Sequence, residues 1–365
     1  MVDVGVLTFH RASNYGAVLQ TWALQEAISA LGHSSEVVDY RSPFLEAHYQ
    51  PDGWRTMLSP RKIGIALLRN GYMLDRRPIF EDFVRREIPL STDAYTPDTV
   101  EHALDSYSIF LTGSDQVWNP LTAGFDPAYF LEFVPEGHRK RAYAASIGLE
   151  AIPHEHQPRF QELLADFKQI SVRESTGAAI LKEMLGDSPP VVADPTLLVD
   201  APRWRTLGEQ GHNWSEPYTL VYLLAETPAI LRYARRLAKS RGNRIVYVSQ
   251  RLFQPRGMRV LSRATVYDFV ALFAGADSVV TNSFHGMCFA LNLSLDLHFD
   301  FLPEPARVNS RLRQLIEAYD IDARQIPPEG LLPRTSTDMQ VHIGETIERE
   351  RTRSMNILAQ IIDES

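Results

Sequence analysis

The sequence holds a single cysteine, Cys288, among its 365 residues. A disulfide framework within the chain and a cysteine zinc cluster are both excluded. GxGxxG and Walker A sequences are missing, which disfavours the usual dinucleotide and P-loop sites. His154-Glu155-His156 lacks the HExxH spacing of a zinc enzyme and reads as a solvated loop. No run approaches the ~18 apolar residues that a membrane span needs. The stretch from Met1 to Phe9 has no basic n-region and is interrupted by Asp3, so it reads as a first strand and not a signal peptide. A cytoplasmic protein is expected. Basic charge is also short. Lys and Arg number 37 against 45 Asp and Glu, a net charge of −8, the wrong sign for a nucleic-acid groove.

What remains is ordinary globular composition, 44% hydrophobic and 22% charged. The length suits two domains. The opening is a βαβ signal: an apolar run from Val4 to Phe9, a polar loop, a helix from Ala17 to Leu31 and a strand from Glu36 to Tyr40. Strand–helix alternation resumes at Ser108–Thr112 and continues through strands at Ala142–Ile147, Gln169–Val172 and Val191–Ala193. Residues 201–217, rich in Pro and Gly, read as an interdomain connection. A second unit follows, with strands at Tyr218–Leu224, Arg244–Val248, Ser278–Thr281 and Leu295–Phe301. Asp338–Asp363 reads as a long terminal helix. The spacing predicts an α/β protein of two Rossmann-like domains, 1–200 and 217–331, with a cleft between them and a helix over 338–363.

Ligands in such sheets bind outside the carboxyl ends of the strands. Four loops leave strand ends. In the first, Gly16 stands at a helix N-terminus suited to an anion, and Asn14 either meets a ligand hydroxyl or caps the helix. In the second, Ser114-Asp115-Gln116 with Trp118 suits a sugar, or is a turn whose Trp plugs the domain. In the third, Arg173 either forks onto a carboxylate or phosphate or forms a surface charge pattern with Glu174. In the fourth, Ser283-Phe284-His285-Gly286 sets a histidine where a strand turns into a helix, a place for proton transfer. Asp296, His298 and Asp300 alternate on one strand and read as its polar face, with a metal site as the weaker reading. Residues 54–77 carry six Lys or Arg and one Asp beside apolar residues, which suits an anionic partner such as a membrane surface, or a solvated helical insertion.

The blocks Phe9-His10-Arg11-Ala12-Ser13-Asn14-Tyr15-Gly16, Gly113-Ser114-Asp115-Gln116-Val117-Trp118-Asn119, Ser171-Val172-Arg173-Glu174, Ala193-Asp194-Pro195-Thr196, Asn282-Ser283-Phe284-His285-Gly286 and Asn309-Ser310-Arg311 resemble, in order, a polysaccharide pyruvyl transferase. The resemblance implies a GT-B-like domain pair and transfer of pyruvate from phosphoenolpyruvate to a sugar as a cyclic ketal, with no metal and no cofactor beyond the donor. It implies that 1–200 is the acceptor side and 217–331 the donor side. It also implies that His285 is the cleft histidine and that Arg173 and Arg311 bind the donor. Each step of that reaction moves a proton, and Asp115, on the opposite domain, is the candidate second base. Where some members carry an arginine two residues before that histidine, this chain has Ser283. A GT-B glycosyltransferase using a nucleotide sugar and a non-catalytic binding member of the fold stay open beside it. The acceptor is expected to be a sugar or a lipid-linked oligosaccharide.

Overall fold

The computed structural model describes residues 2–49, 76–249, 255, 257–303 and 309–363. Two parallel sheets form its frame. The first contains β1 (Val2–Leu7), β2 (Ser35–Tyr40), β3 (Leu90–Tyr95), β4 (Tyr107–Thr112), β5 (Lys140–Ala145) and β6 (Gln169–Val172) in the order β3-β2-β1-β4-β5-β6. The second contains β7 (Tyr218–Tyr222), β8 (Arg244–Val248), β9 (Arg259–Leu261), β10 (Ser278–Thr281) and β11 (Asp296–Phe299) in the order β11-β10-β7-β8-β9. Strand order reverses between β1 and β4 in one sheet and between β7 and β10 in the other. Those are the two switch points where such sheets open a crevice for ligands.

The helices that matter below are α1 (Tyr15–Ala30), α2 (Ser175–Leu185), α3 (Ala201–Gly208), α4 (Pro228–Arg241), α5 (Val266–Ala274), α6 (Phe284–Asn292), α7 (Ser310–Tyr319) and α8 (Thr337–Asp363). Every residue of α1 from Tyr15 to Gln25 is buried, because the helix is enclosed by the 195–198 turn, α5 and α8. An α-helix apolar on nearly all sides belongs in such a place. Among the described residues no helix is long and apolar enough to cross a membrane.

Several elements differ from the sequence expectation. Residues 201–208 are helical, capped by Asp200. Trp204 packs against Trp22 and Phe289, with ring centroids 4.8 Å away in each case, and its indole N–H donates to Thr196 O. The connection between the sheets is therefore itself part of the core. Residues 191–193 form only an isolated bridge, Val191 to Val172. β3 and β9 were not expected. β3 reads Leu-Ser-Thr-Asp-Ala-Tyr with an exposed middle, and β9 has three residues at a sheet edge. Neither carries an apolar run.

α8 lies across both halves. Arg351 donates to Leu197 O and to Asn292 Oδ1, and Ser354 Oγ accepts from the Ala193 amide. Arg141, wholly buried on β5, donates to Ile361 O at 2.9 Å.

Candidate functional site

The loops after β4, β6 and β10 bring side chains to one buried centre, which Gly16 at the start of α1 abuts. Asp115 follows β4 in the left-handed region, φ 70°, which aspartate tolerates better than most residues. Its backbone is held by amide donation from Val117 and Ser146 to its carbonyl. Arg173 follows β6 and divides its guanidinium between two carboxylates. Nη1 donates to Asp194 Oδ2 at 2.7 Å and Nη2 to Asp115 Oδ1 at 3.0 Å. Asp194 uses its other oxygen to accept from the Thr196 amide and hydroxyl, capping the 195–198 turn. His285 Nε2 stands 3.7 Å from Asp194 Oδ2, too far for a hydrogen bond, so the contact is one of charge. Arg311, in the first turn of α7, reaches to 3.9 Å from Asp115.

His285 is gripped by backbone. A Cβ on Gly16 would lie 2.1 Å from its Nδ1, so only glycine lets α1 approach the ring. A Cβ on Gly286 would lie 2.4 Å from Thr281 Oγ1 and 3.1 Å from the Tyr222 ring. The chain after β10 becomes helical sooner than its pattern suggests. α6 starts at Phe284, and Ser283 is its N-cap, with Oγ accepting from the Gly286 amide. His285 therefore sits in a first helical turn and not in a loop.

Opposite charges crowd this centre. Burial works against the ionised Asp115, but Arg173, His285 and Arg311 outweigh it and hold the carboxyl below its usual range. Burial likewise opposes the charge of Asp194, which His285 and Arg173 hold far below the usual carboxylate range. Arg173 is raised, since Asp115 and Asp194 overcome the burial of its guanidinium. Arg311 is pushed down to about 10, by burial first and by the neighbouring Arg173 second. It remains a cation at neutral pH. Both guanidinium groups lie over the Phe284 ring, at 4.7 and 5.6 Å from its centroid. Five buried polar atoms here have no hydrogen-bond partner: Arg173 Nε, Arg311 Nε, His285 Nε2, Ser114 Oγ and Glu174 Oε2. Buried polar groups are ordinarily satisfied, so such a set marks where another molecule's polar atoms fit.

The remaining expected residues divide. Asn14 is the N-cap of α1, its Oδ1 accepting from the Ala17 amide. Gln116 accepts from Asn119. Trp118 fills the core, with its indole donating to Tyr129 O and its ring stacked on Phe130. It offers no face to a sugar. Glu174 is not part of a surface pattern. It is buried, and one oxygen accepts from Ser146 Oγ and from the Ile147 and Gly148 amides. Asp296 and His298 are buried too, in place of the exposed polar face expected. Asp296 accepts from Arg241, Arg324 and Thr335, and His298 bonds Tyr233. Residues 54–75 of the basic segment lie outside the described residues. Asp194 was the residue missed as a site member. Its signal was the Asp-Pro-Thr cap sequence after an apolar run.

The model of the polysaccharide pyruvyl transferase family matches residues 14–294. No curated protein matches the sequence. Among solved structures, the UDP-GlcNAc 2-epimerase from Neisseria meningitidis bound to UDP-GlcNAc aligns with a TM-score of 0.53 at 11% identity, covering 100% of each chain. A Streptomyces sp. SF2575 glycosyltransferase complexed with thymidine diphosphate aligns at 16% identity and a TM-score of 0.45, with 100% of each chain covered. A glycosyltransferase from Rickettsia africae ESF-5 aligns at 10% identity and 0.48, also over 100% of each. The likeness is one of fold: two parallel α/β sheets in a GT-B-like arrangement, with the long helix α8 beside them.

Proposed function

The chain belongs to the polysaccharide pyruvyl transferase family and is a transferase, and from that premise we propose that it moves pyruvate from phosphoenolpyruvate to two hydroxyls of a sugar in a cell-surface polysaccharide or its precursor. The observation that carries the donor assignment is the set of unpartnered buried donors, Arg173 Nε, Arg311 Nε and His285 Nε2, meeting where the two sheets face each other.

The two arginines divide the work. Both terminal nitrogens of Arg173 are engaged by Asp115 and Asp194, so it positions those carboxylates and offers only Nε to the donor. Arg311 makes a single long contact and is the principal donor-binding cation. With His285 neutral, the two cations Arg173 and Arg311 face three carboxylates, Asp115, Asp194 and Glu174. Phosphoenolpyruvate carries about three negative charges near pH 7. Its binding therefore draws a proton to His285 against the positive end of α6, which favours the anion and opposes a positive charge on the ring. The charged histidine gives its proton to C3 of the enol. A sugar hydroxyl adds at C2 as Asp115, held ionised by Arg173, takes its proton, and phosphate leaves with the C–O electron pair and carries that proton away. The second hydroxyl closes the ketal, and its proton restores the imidazolium of His285. Domains 1–200 and 217–331 both contribute to this site, and helix 338–363 closes over them. The reaction is placed in the cytoplasm, with 54–77 as the segment that meets an anionic surface.

Calorimetric titration with phosphoenolpyruvate in buffers of different ionisation enthalpy tests this. Proton uptake on binding is expected, absent in His285→Gln. Arg311→Met should abolish binding, and His285→Gln should lose ~10²-fold or more of phosphate release. Binding without proton uptake, with full phosphate release by His285→Gln, would remove the histidine from the reaction.

A further inference from the structure

Several surface arginines of this chain stand beside a carboxylate on their own helix. Arg77 pairs with Glu81 at 2.6 Å, Arg159 with Glu162 at 2.8 Å and Arg353 with Glu350 at 2.8 Å. α4 differs. It contains no Asp or Glu, and it buries Ile230, Tyr233, Ala234, Leu237 and Ala238 against the second sheet. Arg232, Arg235, Arg236 and Lys239 face outward and are exposed. None of these four makes an ion pair among the described residues. At 3.6 residues per turn they share one arc of roughly 100° along roughly 10 Å of helix.

Helix chemistry does not account for them. Lys239 and Arg241 stand in the last turn and offset the helix dipole. Arg232, Arg235 and Arg236 lie before it. Arg232 is three and four residues from Arg235 and Arg236, spacings at which like charges work against the helix. The surrounding sequence is equally one-sided. From Pro217 to Arg263 it holds ten Lys or Arg and one acid, Glu226, in a chain whose net charge is −8. Charge of one sign gathered in this way is relieved by an anionic partner.

The shape of the face selects that partner. The outward side of a helix is convex and encloses nothing, so it suits a flat array of negative charge better than a single phosphate or a thin chain. Leu224 is 53% exposed just before the helix, and Pro228 and Ala229 are exposed in its first turn. A lipid interface takes both kinds of group, cations at the headgroups and apolar residues at the acyl boundary. α4 also follows the carboxyl end of β7, where the Tyr222 ring lies against Gly286 beside His285. Contact through its first turns sets that end of the sheet next to the surface.

We infer that the outward face of α4 docks the protein on an anionic lipid surface. The inference does not depend on the donor assignment, and it is separate from the segment 54–77.

Vesicle flotation of the full-length protein tests it, with vesicles of phosphatidylcholine and phosphatidylglycerol in a two-to-one mixture against phosphatidylcholine alone. Wild type is expected to float with the anionic vesicles only and to be released as salt is raised to about 0.5 M, because screening shortens the reach of exposed charges. Arg232→Gln together with Arg236→Gln should weaken partitioning about 25-fold, at roughly fivefold for each basic residue near the surface. Arg159→Gln together with Arg349→Gln removes the same charge from other faces and should weaken it by less than about threefold. Both double variants are first confirmed to melt as wild type does. Flotation that the α4 substitutions leave unchanged, equal loss in the two double variants, or failure of wild type to bind anionic vesicles would each overturn the assignment. Heparin binding that vanishes with the α4 charges, while the vesicles bind nothing, would give the face to a soluble polyanion instead.

Discussion

Replacing Gly16 by alanine tests the placement of His285 without touching the histidine. The added Cβ would stand 2.1 Å from Nδ1, 2.5 Å from Cγ and 2.7 Å from Cε1. Ordinary contact begins near 3.4 Å, so the ring must retreat by about 1.3 Å or α1 must shift by as much. α1 is buried on all sides over this stretch and has little room to yield. Overpacking of this kind costs ~1–3 kcal/mol of stability. Misplacing a reacting group by ~1 Å costs ~10²-fold in rate, equivalent to ~2.7 kcal/mol of activation energy. The expected result is a folded enzyme with a lower melting temperature, near-normal phosphoenolpyruvate affinity through Arg311, and phosphate release reduced about 10²-fold. Gly344→Ala is the control. That glycine lies within α8 with nothing within 4 Å of its would-be Cβ, so the change should stabilise by ~0.5–1 kcal/mol and leave turnover alone. A Gly16→Ala enzyme with wild-type turnover and unmoved imidazole resonances would refute the reasoning.

Two further outcomes are expected. Trp204→Ala should cost ~3–5 kcal/mol in urea unfolding, because the indole is wholly buried between Trp22 and Phe289 and its N–H is bonded. A loss below ~1 kcal/mol would mean that α3 does not join the two cores. Acid should unfold the protein along a definite limb. Asp39, Asp115 and Asp194 all have carboxyls depressed in the folded state: burial opposes their charge, and His10 and Arg11 (for Asp39) or Arg173 and His285 (for the other two) overcome it. Their contribution is complete above the ordinary value of 3.8 and is lost as pH falls through the folded values, about 2 for Asp39. Unfolding free energy should be flat in these groups from pH 7 to about 4 and then fall, and Asp39→Asn should flatten part of that fall. A wild-type limb that the substitution leaves unaltered would contradict it.

The sequence rendered the alternation of the fold well where each strand is a buried β-branched run. Gln169–Val172, Arg244–Val248 and Ser278–Thr281 appear at the bounds expected, as does α4 behind its proline. It concealed elements stabilised by neighbours more than by composition: β3 with its exposed Thr92 and Asp93, β9 with three residues, and α3 among prolines and glycines. The site followed the same division. His285, Asp115, Arg173 and Arg311 were visible as residues at strand ends and helix starts, and they converge. What no local pattern holds is who engages whom. Residues 115, 173, 194, 285 and 311 meet only because two sheets place their switch points face to face. That Arg173 has both terminal nitrogens bound, and that Glu174 ties down the 146–148 turn, depends on partners between 21 and 58 positions away. Trp118 shows the converse: a residue that suits a sugar by type is consumed by packing once the 125–133 segment folds over it.

The bond from Arg141 to Ile361 O spans 220 positions and bears on how the protein is made. At ~5–20 residues per second, a ribosome that has finished β5 needs roughly 10–45 s to supply that carbonyl. During this interval the nascent first sheet carries a guanidinium in a place built to exclude water, with an acceptor still to be synthesised. A half-made sheet of this kind is open at the face that α8 later covers. Slowing translation after residue 145 would lengthen the exposure, while supplying 337–363 as a separate peptide to the truncated chain would shorten it.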